Sequence, residues 1–387
     1  MCGLARGRCL VAVLMSPLFK AFNLGEHDLR NRVVMAPMTR ARAPSHTPTA
    51  STARYYRQRA GAALIVTEGT AISQEGVGFA SCPGIWSDTQ VAAWRGVTEA
   101  VRDVGGVIFT QLWHVGRVSH VSLQPHGAAP VSSSARQASM SHAFGFAPSG
   151  EAQFVPASPP RELSTEEVGR VVSDFAAAAA NATRAGFDGV ELHGANGYLL
   201  EQFLNPSVNR REDRYGATSL TDRLRFVLEV VDACVARIGS HRVGIRLSPF
   251  GRLHELEAFP EEEETFLALA TELGERKLAY VHLMDQSSRG APAMPEGFLA
   301  QFRRAYTGPL ILAGGLTRQT AERLLEDGLI DLAAFGAPFV SNPDLVERLR
   351  HDWPITSTDP AMFYGGTDEG YTDFPVYSSA QRAEQSP

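Results

Sequence analysis

Short apolar runs punctuate the chain at near-regular intervals, and each is followed by a stretch whose apolar residues recur at helical spacing. The runs cover residues 32–37, 63–69, 107–113, 189–193, 243–249, 279–285, 309–315 and 331–336. They are continuous rather than alternating, the pattern of parallel strands buried on both faces. Between them, Ser164 with Glu167 three residues on predicts a capped helix that runs through Ala176 and Ala180 to a stop near Gly186. Residues 219–238 repeat apolar positions at Leu224, Val227, Leu228 and Val231 before Gly239 closes that helix. Shorter helices are expected over 295–306, 317–326 and 342–351, and the acidic run 261–264 reads as the opening of another, where carboxylates suit the positive end of the dipole. Strand then helix, eight times over, predicts an α/β fold with a single (β/α)8 barrel closed by right-handed crossovers.

Three stretches break this rhythm. Residues 114–162, after the third strand, are rich in Ser, Pro, Gly and Ala and lack periodicity. They predict a cap or short hairpin over the barrel mouth, against the plainer alternative of a surface loop. The stretch after Pro354 is also irregular, and its Phe-Tyr-Gly-Gly at 363–366 is placed to fold back toward the same mouth. At the other end, Arg6 and Arg8 precede a short apolar run like a weak secretory signal without a small-x-small cleavage site. The plainer expectation takes Met15 as the working start, residues 1–14 as a disordered extension, 15–375 as the barrel and 376–387 as a flexible tail.

Composition narrows the partners. Of 387 residues 44% are hydrophobic and 20% charged, enough for a large core, and 42 acidic against 36 basic residues give a net charge of -6. No basic stripe suggests nucleic acid and no long apolar run suggests a membrane, so a small-molecule substrate is expected, on a monomer or homodimer. Cys2, Cys9, Cys82 and Cys234 form no C-x-x-C pair, which argues against zinc or an iron–sulfur cluster and fits a reducing, cytoplasmic setting.

In such barrels the site lies at the carboxyl ends of the strands. Taken in order, those ends offer Thr39, Gly69, Gln111 with Trp113, His193 with Asn196 and Tyr198, Arg246, Gly314 with Gly315, and Gly336. No carboxylate pair speaks for glycoside hydrolysis. The first strand has no histidine pair for a metallohydrolase, despite His114, His193 and His282, of which His114 and His282 are read as structural. Glycines after the last two strands suit a phosphate, and an arginine among neutral hydrogen-bonders suits a flat, phosphorylated, redox-active ring such as a flavin. Tyr198 carries an ordinary phenol and can give up a proton.

With these residues in view, the chain resembles the old yellow enzyme family of flavin mononucleotide-dependent ene-reductases, and in particular its bacterial N-ethylmaleimide and nitrate-ester reductase branch. The likeness spans about residues 18–374 and rests on NRVVMAPMTR (31–40), YYRQRA (55–60), QLWHVGR (111–117), HGANGYLLEQFLNP (193–206), GIRLSP (244–249), NPDLVERL (342–349) and FYGGTDEGYTDFP (363–375) in that order. It implies that Thr39, Gln111 and Arg246 hydrogen-bond the flavin ring, that Pro37, Met38 and Gly69 line its pocket, and that Gly314, Gly315 and Gly336 lie at its phosphate. It further implies that His193 and Asn196 grip a carbonyl or nitro oxygen and that Tyr198 protonates the α-carbon after hydride reaches the β-carbon. Phe79, Trp113 and Tyr364 would shape the substrate cavity, and NADPH, or else NADH, would reduce FMN first. No metal is implied.

Two positions depart from the pattern. The family has a phosphate-binding arginine where this chain has Ala337, which leaves the phosphate to backbone N–H groups or to Arg318 or Arg289. The stretch 215–223, YGATSLTDR, lacks a second glycine and is one residue longer than usual. The Ala337 departure sustains an alternative to the enzyme: a barrel with weakened flavin binding that serves as a small-molecule binding protein. For single residues, the lesser alternatives are that Trp113 and Phe79 are core aromatics and that Arg246 pairs with a buried acid.

Overall fold

A computed structural model of the protein describes residues 16–377. The expected extension 1–14 and residues 378–387 of the tail lie outside the described residues. Eight strands form a closed parallel barrel: β1 (Val33–Met35), β2 (Leu64–Ala71), β3 (Ile108–Trp113), β4 (Gly189–Gly194), β5 (Val243–Leu247), β6 (Tyr280–Met284), β7 (Leu310–Ala313) and β8 (Leu332–Phe335). They pair in chain order and β8 closes on β1. Each expected run holds one strand, most of them trimmed at the ends where the ladder stops.

Both faces of the strands are apolar for a visible reason. Val33 and Met35 face the outer layer beneath the helices, whereas Val34 and Ala36 point into the barrel with Leu64, Phe109, Tyr280, Ile311 and Leu332. A hairpin of Phe22–Leu24 and His27–Leu29 contributes Leu24 and Leu29 to that inner cluster and so plugs one end of the barrel. The inner core therefore fills the lower barrel, and only the upper layers are left for polar groups.

The helices are α1 (Ala50–Gln58), α2 (Asp88–Arg102), α3 (Thr165–Arg184), α4 (Leu199–Leu204), α5 (Leu220–Ile238), α6 (Glu262–Glu275), α7 (Phe298–Ala305), α8 (Arg318–Glu326), α9 (Ala337–Ser341) and α10 (Leu345–His351). Ser164 and Glu167 form the expected capping box, and Ser219 caps α5, which ends at Gly239 in a positive-φ conformation (φ 88°). Glu262, Glu263 and Glu264 occupy the first turn of α6, as their sequence position suggested. Two helices start later than their patterns predict. Gly297, at φ 80°, interrupts the segment before α7, and the Asn342 side chain is drawn to Pro338 O (2.7 Å) and Thr356 O (2.8 Å) instead of opening α10.

The segment 114–162 carries an antiparallel hairpin, His142–Phe146 with Ala152–Pro156, and a two-residue bridge between Val131–Ser132 and Arg161–Glu162. Phe144 and Phe154 of the hairpin meet Tyr364 with ring centroids 6.3 and 5.7 Å apart. The C-terminal segment is held there by arginines. Arg40, 1% exposed, donates to the carbonyls of Phe363 (3.0 Å), Met362 (3.0 Å) and Gly370 (2.8 Å), and Arg42 adds Thr367 O (3.1 Å). Tyr371 stacks on Tyr55 at 4.3 Å, and the Arg59 guanidinium lies 3.7 Å from the centroid of the Tyr55 ring.

Candidate active site

A cavity of about 650 Å³ opens at the carboxyl ends of the strands. Its wall brings together Pro37, Met38, Thr39, Phe79, Gln111, Trp113, His193, Asn196, Tyr198, Arg246, Gly314, Gly315, Gly336 and Tyr364. Gly69, alone among the expected site residues, is not part of that wall. A Cβ at Gly69 would sit 2.4 Å from Trp113 Cε3. The glycine at the bulge of β2 therefore makes room for the Trp113 ring.

Strand register explains the arrangement. His193, Arg246 and His282 are neighbours across β4, β5 and β6, while Glu191 pairs in register with Gln111 on β3. Side chains two apart on a strand share a face, so Glu191 lies one layer below His193. Its carboxylate accepts from Gln111 Nε2 (2.8 Å) and contacts His282 Nδ1 (2.9 Å), all three side chains being buried. Burial alone would raise the Glu191 pKa, but His282, Arg246 and Gln111 together hold it lowered. His282 is thus a structural partner of that carboxylate, and His114 meets Glu75 at 3.7 Å outside the cavity.

Arg246 is 5% exposed, and among the described residues its one hydrogen bond goes to Met284 Sδ (3.2 Å), with Nε unpartnered. Glu191 lies close enough to favour its charge, but the hydrogen bonds of that carboxylate go to Gln111 and His282. Buried guanidinium groups are costly without acceptors, so this one is built to meet an acceptor brought by an occupant. Gly314 and Gly315 have φ of 132° and 70°, and a Cβ on Gly314 would fall 2.3 Å from Asp285 O. Two glycines with their backbone pressed against neighbours leave that end of the cavity lined by main chain. A flat ring near Arg246 and Gln111 with a phosphate near the glycines fits these residues.

The polar cluster after β4 has a defined donor pattern. The Ala195 N–H donates to His193 Nδ1 (3.4 Å), which leaves the ring proton on Nε2. Burial, aided by Arg246, His282 and His254, holds the imidazole pKa well below its ordinary value, so His193 is neutral. Asn196 sits at φ 59°, and its backbone N–H donates to Ser248 Oγ (2.8 Å). The Asn196 Oδ1 accepts from Gln286 Nε2 (3.1 Å), which leaves the Nδ2 amide as the free donor. Tyr198 packs edge-on to Trp113 and His193, both at 5.0 Å. Burial and Tyr364 push its phenol upward, so the hydroxyl keeps its proton through the neutral range. Beneath the loop, Glu201 accepts from Gly197 N (2.6 Å) and Ser248 Oγ (2.8 Å), and burial raises its carboxyl to about 8.

Trp113 and Phe79 pack into one aromatic cluster (ring centroids 5.6 Å apart) and also line the cavity. Of the two arginines considered for the phosphate, Arg289 lines the cavity. Arg318 does not, being paired with Glu322 (2.9 Å) and Asp352 (2.7 Å). Ala337 lies on the wall at the start of α9. Sequence inspection missed Arg40, Met284, Ser288, Leu316, Pro338 and Val340 on the wall, and Gln286 behind it. Most of these are apolar or follow a strand by several residues, so only the Arg40 position within an unusually polar strand end carried a signal.

Residues 17–355 match the profile of the NADH:flavin oxidoreductase / NADH oxidase family. The fold is similar to that of morphinone reductase in complex with tetrahydroNAD, with a TM-score of 0.90 and 46% identity, covering 94% of this chain and 98% of that one. An old yellow enzyme homologue from Zymomonas mobilis superposes with a TM-score of 0.88 at 37% identity over 93% of this chain and 99% of its own. Among sequence relatives, 12-oxophytodienoate reductase 2 of Arabidopsis thaliana is 39% identical over 368 residues, 94% of this chain and 96% of that protein.

Proposed function

Because the chain belongs to the NADH:flavin oxidoreductase / NADH oxidase family, the old yellow enzyme family, we propose that it reduces electron-poor carbon–carbon double bonds with FMN as its flavin and a nicotinamide dinucleotide as reductant. The substrates proposed are enones, maleimides and nitroalkenes. Nitrate esters would be added if it shares the chemistry of the N-ethylmaleimide and nitrate-ester reductase branch. NADPH is the proposed reductant, with NADH the comparison in every assay.

The observation that carries this reading is the donor pattern of one cavity: His193 Nε2–H, the Asn196 amide and the protonated Tyr198 hydroxyl on the same wall. Two fixed donors polarise a carbonyl or nitro oxygen and accept the negative charge that develops on it. Tyr198 then delivers its proton to the carbon next to the activating group. Arg246, Gln111 and Thr39 would hold the flavin ring, and backbone N–H groups around Gly314, Gly315 and Gly336 its phosphate. When bound, the flavin supplies the hydride chemistry. The aromatic wall of Trp113, Phe79 and Tyr364 excludes water from the reacting carbons.

Tyr198→Phe tests the assignment. Anaerobic alkene reduction should slow on the order of a hundredfold, while flavin reduction by the nicotinamide proceeds nearly unchanged, because only the first process consumes that proton. Equal loss in both half-reactions would remove Tyr198 from the acid role. Ala337 motivates a second reading, a barrel that binds small molecules with little flavin. A colourless preparation that remains inactive with added FMN would favour it, and a yellow one the enzyme.

A further inference from the structure

Asn196 can grip a substrate oxygen only if its amide turns the nitrogen, not the oxygen, toward the cavity, and nothing in its own torsions makes that choice. The choice is made two loops away. Gln286, 2% exposed and just beyond β6, lies against the loop after β5. Its Oε1 accepts from the backbone N–H of Arg252 (2.9 Å) and of Leu253 (3.3 Å). Backbone N–H groups only donate, so the side of Gln286 that faces them is its oxygen. Its nitrogen therefore faces Asn196 and donates to Oδ1 (3.1 Å), which in turn commits Asn196 Nδ2 to the cavity. Gly251 permits the close approach: a Cβ there would lie 2.6 Å from Gln286 Nε2.

We propose that Gln286 is a positioning residue for the reaction, a buried amide that reads the polarity of two backbone N–H groups and transmits it to Asn196 so that a donor meets the substrate oxygen. The proposal rests on the clamp role of Asn196 given above. The backbone of Asn196 is fixed separately, through Ser248 and Glu201, so Gln286 governs the direction of the side-chain amide and not the position of the loop.

Gln286→Glu reverses the signal while keeping the shape. Its carboxylate still accepts from Arg252 and Leu253 but can only accept from Asn196, which turns its nitrogen away from the cavity and presents its oxygen. Calorimetric titration of the oxidised holoenzyme with 2-cyclohexen-1-one should then show binding weakened about tenfold or more at about pH 8, roughly one lost hydrogen bond. As the pH falls toward about 5 the introduced carboxyl takes a proton and can donate again, so binding should recover toward that of the unmodified protein. Dividing by the unmodified protein at each pH removes the contributions of the charged and ionisable groups on the same loops, Glu201, His254 and the Arg252–Glu262 ion pair. Unchanged binding at about pH 8, or a loss of equal size at every pH, would overturn the proposal. Should the variant not fold, Gln286→Leu carries the test: it frees the amide to turn, weakening binding several-fold without a pH trend, and unweakened binding overturns the proposal. Asn196→Ala in parallel separates the premises, since full binding by that variant would instead refute the clamp itself.

Discussion

The buried carboxyl of Glu201 should make the stability of the protein fall as the solution becomes more alkaline, and Glu201→Gln should abolish that fall. Burial raises this group from 4.5 to about 8, although Gly197 N and Ser248 Oγ both donate to it. In the unfolded chain the carboxyl loses its proton near its ordinary value; in the native state it holds the proton until about pH 8. Across that interval the native state binds one more proton than the unfolded state, so unfolding free energy drops by about 1.4 kcal/mol per pH unit. Between about pH 5.5 and about pH 8 the accumulated loss is about 3 kcal/mol, to order of magnitude. Glutamine keeps an acceptor for the Gly197 N–H and offers a donor to Ser248, so the loop geometry is retained while the titration is gone. Urea unfolding of the holoprotein at constant ionic strength and saturating flavin, at several pH values, gives the difference in stability between the two forms. That difference should shrink in favour of the variant as pH rises. A difference that stays constant across the interval would show that Glu201 is ionised in the native state and that the reasoning is wrong.

The remaining predictions concern the cavity wall. Gly69→Ala places a Cβ against the Trp113 ring and should cost about 1–3 kcal/mol in urea unfolding, with a changed near-ultraviolet circular dichroism from the displaced indole. Arg40→Ala removes three carbonyl contacts; faster hydrogen exchange and proteolysis confined to about residues 360–371 are expected. A charge-assisted contact to phosphate is worth about 1.5–3 kcal/mol, so Ala337→Arg should tighten FMN binding roughly ten- to a hundredfold in a fluorescence titration of the apoprotein.

The barrel was legible because each strand is buried on both sides, which forces an unbroken apolar run that helices do not produce at that length. Helix starts were legible where a side chain performs the capping, as at Ser164 and Ser219, and were lost where a backbone feature intervened, as at Gly297. In the site, the residues whose chemistry is intrinsic to their side chain stood out: His193, Tyr198 and Arg246. The close approach of Trp113 to Gly69 was not legible, because a glycine at a strand end looks the same whether it admits a ligand or a neighbouring indole. Gln286 left no trace, since its meaning lies in which of two nearly identical atoms faces a backbone N–H, a property of three loops meeting and not of any one of them.

The clasp on the C-terminal segment has a consequence for how such a cavity can change. Arg40 and Arg42 seize main-chain oxygens at Met362, Phe363, Thr367 and Gly370, and apart from the Tyr371 ring, which packs on Tyr55 and under both guanidinium groups, that grip does not depend on which side chains the segment carries. One wall of the cavity is thus an interchangeable panel on a fixed frame. Exchanging Tyr364 or its neighbours for other residues alters what the cavity admits without unfastening the segment that displays them, so selectivity at this wall can drift while the fold stays put.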